Sequence, residues 1–148
     1  MNAPLRTESS RPVVLIAEDE LHMRLLIERC LRRAGFHTEG VARGDDAVAR
    51  VARGGIDLVV LDFEMPGLSG PDALRRIREL ACGQSLPAVF VTGRGCCDPA
   101  DSMPPLRVDA CFAKPFSPSE LAGRISTLLA DRMPKPVADN GKPTASPA

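Results

Sequence analysis

The sequence has no tryptophan and no tyrosine, and its five phenylalanines make up only 3% of the chain. That count argues against stacking platforms for single-stranded nucleic acid. Charge of one sign is missing too, since 19 Lys plus Arg balance 19 Asp plus Glu. A nucleic-acid-coating protein or a polybasic membrane binder carries a positive surplus, so neither class fits. Histidine is scarce, with only His22 and His37, both expected at the surface or in turns. The five cysteines (Cys30, Cys82, Cys96, Cys97, Cys111) form no C-x-x-C pair, and zinc spacing is absent. Aliphatic runs such as Val13–Ala17 are far too short to cross a bilayer. The odd cysteine count and the polar opening MNAPLRTESS argue against a secretory leader, so a reduced, cytoplasmic setting is expected.

What is present is an apolar fraction of 44% in 148 residues, enough for the core of one domain. Residues 131–148 carry four prolines and almost no large apolar side chains. Such a segment buries too little surface to offset its ordering entropy. It reads as a flexible tail, with residues 1–10 as a disordered lead and 11–130 as the domain.

Within the domain, short apolar runs alternate with helix-period stretches. Strands are expected at Pro12–Ala17, Phe36–Val41, Asp57–Leu61, Leu86–Val91 and Val108–Phe112. A helix over Leu21–Ala34, with Leu21, Leu25, Leu26 and Leu31 as its apolar positions, ends at Gly35. Asp45–Arg53 and Gly70–Ala81 give two more helices, and Ser117-Pro118-Ser119-Glu120 opens a last one as a capping box. Aliphatic strands without strict alternation indicate burial on both faces, hence a doubly wound five-stranded parallel sheet of α/β class. The stretch between the fourth and fifth strands holds Pro104-Pro105, so its helix is short or missing.

In open parallel sheets, chemistry collects beyond the carboxyl ends of the strands. Those ends carry Glu18, Asp19 and Glu20, then Asp62, Thr92 and Lys114. Clustered carboxylates repel unless a cation neutralises them, and hard oxygen ligands suit Mg²⁺, with Mn²⁺ as a substitute. Each residue also has a bland reading. Asp19 and Glu20 could cap the first helix, Asp62 could be a loop aspartate, Thr92 a strand end and Lys114 a surface lysine. Their joint occurrence at strand ends favours a site.

Four segments carry a resemblance: Ala17-Glu18-Asp19-Glu20, Leu61-Asp62-Phe63-Glu64-Met65-Pro66-Gly67, Val91-Thr92-Gly93 and Lys114-Pro115-Phe116. With them, residues 11–130 resemble the receiver domains of two-component response regulators, the chemotaxis-type receiver fold. The resemblance implies strand order 2-1-3-4-5 and phosphoryl acceptance on Asp62 from a phosphohistidine. Mg²⁺ would be held by Asp19, Asp62 and the main-chain carbonyl of Glu64, with Glu18 acting through a water. Thr92 would bond a phosphoryl oxygen, Lys114 would pair with Asp62 at rest, and Pro115 would follow a cis bond. A histidine kinase or phosphotransfer protein and a downstream protein target are the implied partners. No nucleic acid or membrane is implied, and the chain would be a monomer or weak homodimer.

The chain departs from the family at Cys111, where a tyrosine or phenylalanine usually swings inward behind the threonine. Phe112 faces the other way along a strand and reads as core. Output through segment 94–107 is expected instead. Glu64 and Arg94 stand where side chains tune the lifetime of the acyl phosphate, and could pair across the entrance. The expectation is a stand-alone signalling module rather than an enzyme. The alternatives are a phosphorylation-independent interaction module and an aspartate-nucleophile phosphatase. The phosphatase is disfavoured because Glu64 stands where that class needs a second aspartate.

Overall fold

A computed structural model describes residues 11–93 and 107–132. The strands are β1 (Val13–Ala17), β2 (His37–Val41), β3 (Leu58–Asp62), β4 (Ala88–Thr92) and β5 (Ala110–Ala113). The α-helices among the described residues are α1 (Leu21–Arg33), α2 (Gly44–Ala52), α3 (Gly70–Arg78) and α4 (Pro118–Arg132). All four strand pairings are parallel, in the order β2-β1-β3-β4-β5. The stretch expected to hold a short or missing helix lies at 94–106, outside the described residues, as do the expected lead and most of the expected tail. The last helix runs two residues past the expected domain end at 130.

Alternation along the strands divides the core into two layers. Val14, Ile16, Leu58, Val60, Val89 and Val91 face α1 and α4, packing with Ile27, Leu31, Leu121 and Ile125. Leu15, Ala17, Val59, Leu61, Ala88 and Phe90 face α2 and α3, packing with Ala47, Val51, Leu74 and Ile77. Burial on both faces explains why these strands read as unbroken aliphatic runs.

Local chemistry sets the ends of the elements. Glu20 is the N-cap of α1, its carboxylate accepting the Met23 N–H at 2.7 Å, so its bland reading holds. Ser69 caps α3, and the Ser117 hydroxyl accepts the Glu120 N–H at 3.3 Å at the start of α4. The expected helix over Gly70–Ala81 is instead α3 followed by a 3₁₀ turn at Ala81–Gly83. Arg78 secures that turn, donating to the Gly83 carbonyl at 2.8 Å and the Leu86 carbonyl at 2.7 Å.

One expected face is wrong. Leu21, Leu25 and Leu26 are 50%, 52% and 45% exposed, and of the four named leucines only Leu31 is buried. The inward stripe of α1 is Met23, Ile27, Cys30 and Leu31, whose spacing brings them to one side of the helix. Three leucines therefore lie outside.

Candidate functional site

Strand order reverses between β1 and β3, the place where an open parallel sheet leaves a crevice beyond its carboxyl edge. An open cleft of about 550 Å³ lies there, walled by Glu18, Asp19, Asp62, Glu64, Met65 and Lys114. Each wall has a local cause. β1 ends at Ala17 and the chain is turned by the Glu18 N–H bonding the Val41 carbonyl at 3.0 Å. Arg24 clasps the same turn from α1, donating to the Glu18 carbonyl at 2.8 Å. β3 runs one residue further than expected, so Asp62 is its last member, paired in register with Val91. The Lys114 N–H donates to the Thr92 carbonyl at 2.7 Å, which brings the end of β5 to the cleft. The Lys114–Pro115 bond is cis, as the resemblance implies.

Glu18, Asp19 and Asp62 each offer a carboxylate oxygen, and the three atoms lie within 4.8 Å of one another. Asp19 is exposed at the mouth, whereas Glu18 and Asp62 are buried. Lys114 Nζ lies 3.0 Å from Glu18 Oε1 and 3.5 Å from Asp62 Oδ1. Its nearer partner is thus Glu18, where the sequence led us to expect Asp62. The Glu18 contact is an ion pair by distance, but its angles make no hydrogen bond, so Oε1 is a buried carboxylate oxygen without an aligned donor. Oε2 of Glu18 accepts the Glu20 N–H at 3.2 Å, which fixes the carboxylate in place.

The electrostatics follow. Burial and the neighbouring Glu18 charge push the Asp62 carboxyl up to about 7, against the opposing pull of Lys114 and of the Glu64 backbone N–H. For Lys114, burial opposes the charge, yet Glu18 and Asp62 outweigh it and raise the ammonium further. Two buried carboxylates facing one ammonium leave one negative charge uncompensated. A hard dication fits this donor set, because it would meet three carboxylates and relieve the unaligned Glu18 oxygen.

The response regulator receiver domain family matches residues 14–126. The chain belongs to that family. A further comparison places the receiver beside the phosphate regulon transcriptional regulatory protein PhoB of Rhizobium meliloti. The two are 32% identical over 126 residues, covering 84% of this chain and 55% of that protein. Another relative is the sensory transduction protein RegX3 of Mycolicibacterium smegmatis, 36% identical over 118 residues, covering 78% of this chain and 50% of that protein. The chain therefore spans about half the length of the curated relatives it matches. Among solved structures, the receiver domain of the sensor histidine kinase PA1611 from Pseudomonas aeruginosa PAO1 has a magnesium ion coordinated in its active-site cleft. It is 26% identical at a TM-score of 0.74, covering 82% of this chain and 99% of that one. The Francisella response regulator 1452 receiver domain, 24% identical at a TM-score of 0.75, shares the fold over 82% of this chain and 99% of its own.

The receiver's atypical positions can then be placed. Thr92 is the last residue of β4 and is buried. Cys111 pairs in register with Phe90 and packs in the layer of α2 and α3. Phe112 packs in the opposite layer, its ring 6.2 Å from that of Phe116, so it is core as expected. Phe63, directly after Asp62, stands edge-on to Phe90 at 5.5 Å. Glu64 is exposed beside the cleft, while Arg94, Cys96 and Cys97 lie outside the described residues. Cys30 and Cys82 donate their thiols to the Pro118 and Val51 carbonyls at 3.1 Å each, and His22 and His37 are exposed. The Glu18–Lys114 pair escaped sequence reasoning. It joins the carboxyl ends of β1 and β5, so no local sequence pattern signals it.

Proposed function

We propose that Asp62 accepts a phosphoryl group from a phosphohistidine of a kinase or phosphotransfer protein. The observation that carries this reading is a buried carboxylate at the floor of an open cleft, within reach of two further carboxylates and 3.5 Å from Lys114. Asp19, Asp62 and the main-chain carbonyl of Glu64 would hold Mg²⁺, with Glu18 through a water. The ion would supply charge neutralisation for phosphoryl oxygens at the cleft. An Asp62 carboxylate oxygen attacks phosphorus in line, the P–N bond breaks, and its electron pair returns to the donor imidazole. Lys114 pairs with a phosphoryl oxygen as the product forms, and the Thr92 hydroxyl donates to another.

A protein donor needs a surface beside the cleft. The exposed Leu21, Leu25 and Leu26 of α1 begin one residue after Glu20, which lines the cleft. Leu25 and Leu26, with His22 and Arg29, border a shallow hollow of about 250 Å³, and exposed leucines grouped beside a polar rim suit a protein partner. Output would pass to a second protein. Cys111 lacks the ring of the usual switch, and this favours two outcomes: remodelling of segment 94–107, or a module whose binding is independent of phosphorylation.

The test is incubation with acetyl phosphate and Mg²⁺ followed by intact-mass measurement. The reading expects a single phosphoryl adduct that is absent from Asp62→Asn. No adduct on the folded parent supports the phosphorylation-independent module.

A further inference from the structure

The segment after β3 carries Glu64, Met65 and Pro66 into the cleft, and it is pinned on two sides. On its strand side, the Gly70 N–H bonds the Phe63 carbonyl at 2.9 Å, and a Cβ at Gly70 would lie 3.0 Å from the Phe63 Cα. On its other side it rests on the first turn of α2. Gly44, the first residue of that helix, is buried, and a Cβ there would run into the Leu68 carbonyl, with its carbon only 2.9 Å away. Gly44 has no left-handed backbone angle, so contact alone, and not conformation, calls for glycine. Gly67 has φ +78°, and a Cβ on it would lie 2.5 Å from Asp45 Oδ1 and 2.8 Å from Arg43 Nη2. Arg43 and Asp45 pair with each other at 3.2 Å across this contact. At Gly44, backbone thus meets backbone with no flexible side chain between to absorb a displacement, while at Gly67 the loop meets the exposed Arg43–Asp45 ion pair.

We infer that Gly44 is a positioning residue for the cation site: the first turn of α2 sets the height at which the 64–69 segment presents its carbonyl to the cleft. The inference rests on the cation reading given under Proposed function. The loop cannot move toward α2, because Gly44 already lies in contact with Leu68. A methyl group at 44 pushes the loop away from α2, and the Glu64 carbonyl travels with it. By linkage, an ion that fixes the carbonyl must in turn hold the loop against α2.

The experiment titrates Mg²⁺ into the parent, Gly44→Ala and Asp19→Asn, reading affinity from amide shifts in nuclear magnetic resonance rather than from phosphorylation. Supporting groups around metal ligands are worth about 10-fold or more in affinity. Gly44→Ala is therefore expected to bind Mg²⁺ about 10-fold more weakly while its fold, read by far-ultraviolet circular dichroism, is kept. Parental affinity in a folded Gly44→Ala overturns the inference and leaves the cation reading standing. A parent that binds no more tightly than Asp19→Asn overturns both. A second measurement needs no variant at position 44 and decides the case if Gly44→Ala fails to fold. Hydrogen exchange of the 44–48 amides in the parent should slow on adding Mg²⁺, and unchanged exchange in a parent that binds the ion overturns the inference.

Discussion

Replacing Asp62 by asparagine should stabilise this protein when no divalent cation is present. The carboxyl is buried beside Glu18, and its pKa is raised from 3.8 to about 7. A group that holds its proton more tightly in the fold contributes fully in acid, and the contribution is lost as pH rises from its unfolded value through its folded one. A rise of about 3 units corresponds to roughly 4 kcal/mol, and relaxation around the site brings the expected effect to about 2–4 kcal/mol. Asparagine cannot ionise, and it leaves Lys114 its nearer partner, Glu18 at 3.0 Å. Urea unfolding in EDTA, followed by circular dichroism because the chain has no tryptophan, should show Asp62→Asn ahead of the parent at about pH 8. The advantage should shrink steadily as pH falls toward about 4. Added Mg²⁺ should narrow the gap by stabilising only the parent. An asparagine variant no more stable at the higher pH, or an advantage independent of pH, refutes the reasoning.

Three other perturbations separate the parts of the account. Lys114→Met removes the cation that faces both buried carboxylates; it should cost about 1–3 kcal/mol in the same urea assay near neutral pH, easing in acid. Leu25→Glu with Leu26→Glu changes only exposed side chains, so stability should move by less than about 0.5 kcal/mol per substitution. Adduct formation from acetyl phosphate should persist in that variant, while transfer from a phosphohistidine protein should slow; equal transfer removes α1 as the docking face. Glu64→Ala combined with Arg94→Ala should shorten the half-life of the phosphorylated form, followed by intact mass over time, because a Glu64–Arg94 pair across the entrance would hinder attacking water; equal half-lives refute that role.

The parallel sheet was legible because burial on both faces leaves aliphatic runs that little else produces, and the site because the runs of β1, β3 and β4 lead directly to Glu18, Asp62 and Thr92, with Lys114 just past β5. Asp62, Thr92 and Lys114 could be named from those ends alone. The inner face of α1 could not. Its sequence holds two apolar stripes, and the leucines of the outer one, Leu21, Leu25 and Leu26, outweigh Met23, Ile27 and Cys30 in hydrophobicity. Which stripe is buried depends on where β1 delivers the chain, a tertiary matter. The Glu18–Lys114 pair joins residues from opposite ends of the domain, and no local pattern announces it. Gly44 was equally silent, since its importance lies in how closely the carbonyl of Leu68 approaches it.

The central claim is that Asp62 itself carries the phosphoryl group. Peptide mapping of the protein after reaction with acetyl phosphate and Mg²⁺, with EDTA as the control, tests it most directly. The account predicts one modified peptide, bearing the group on Asp62 and lost with EDTA. A phosphoryl group on any other residue, or one formed equally well in EDTA, would contradict it.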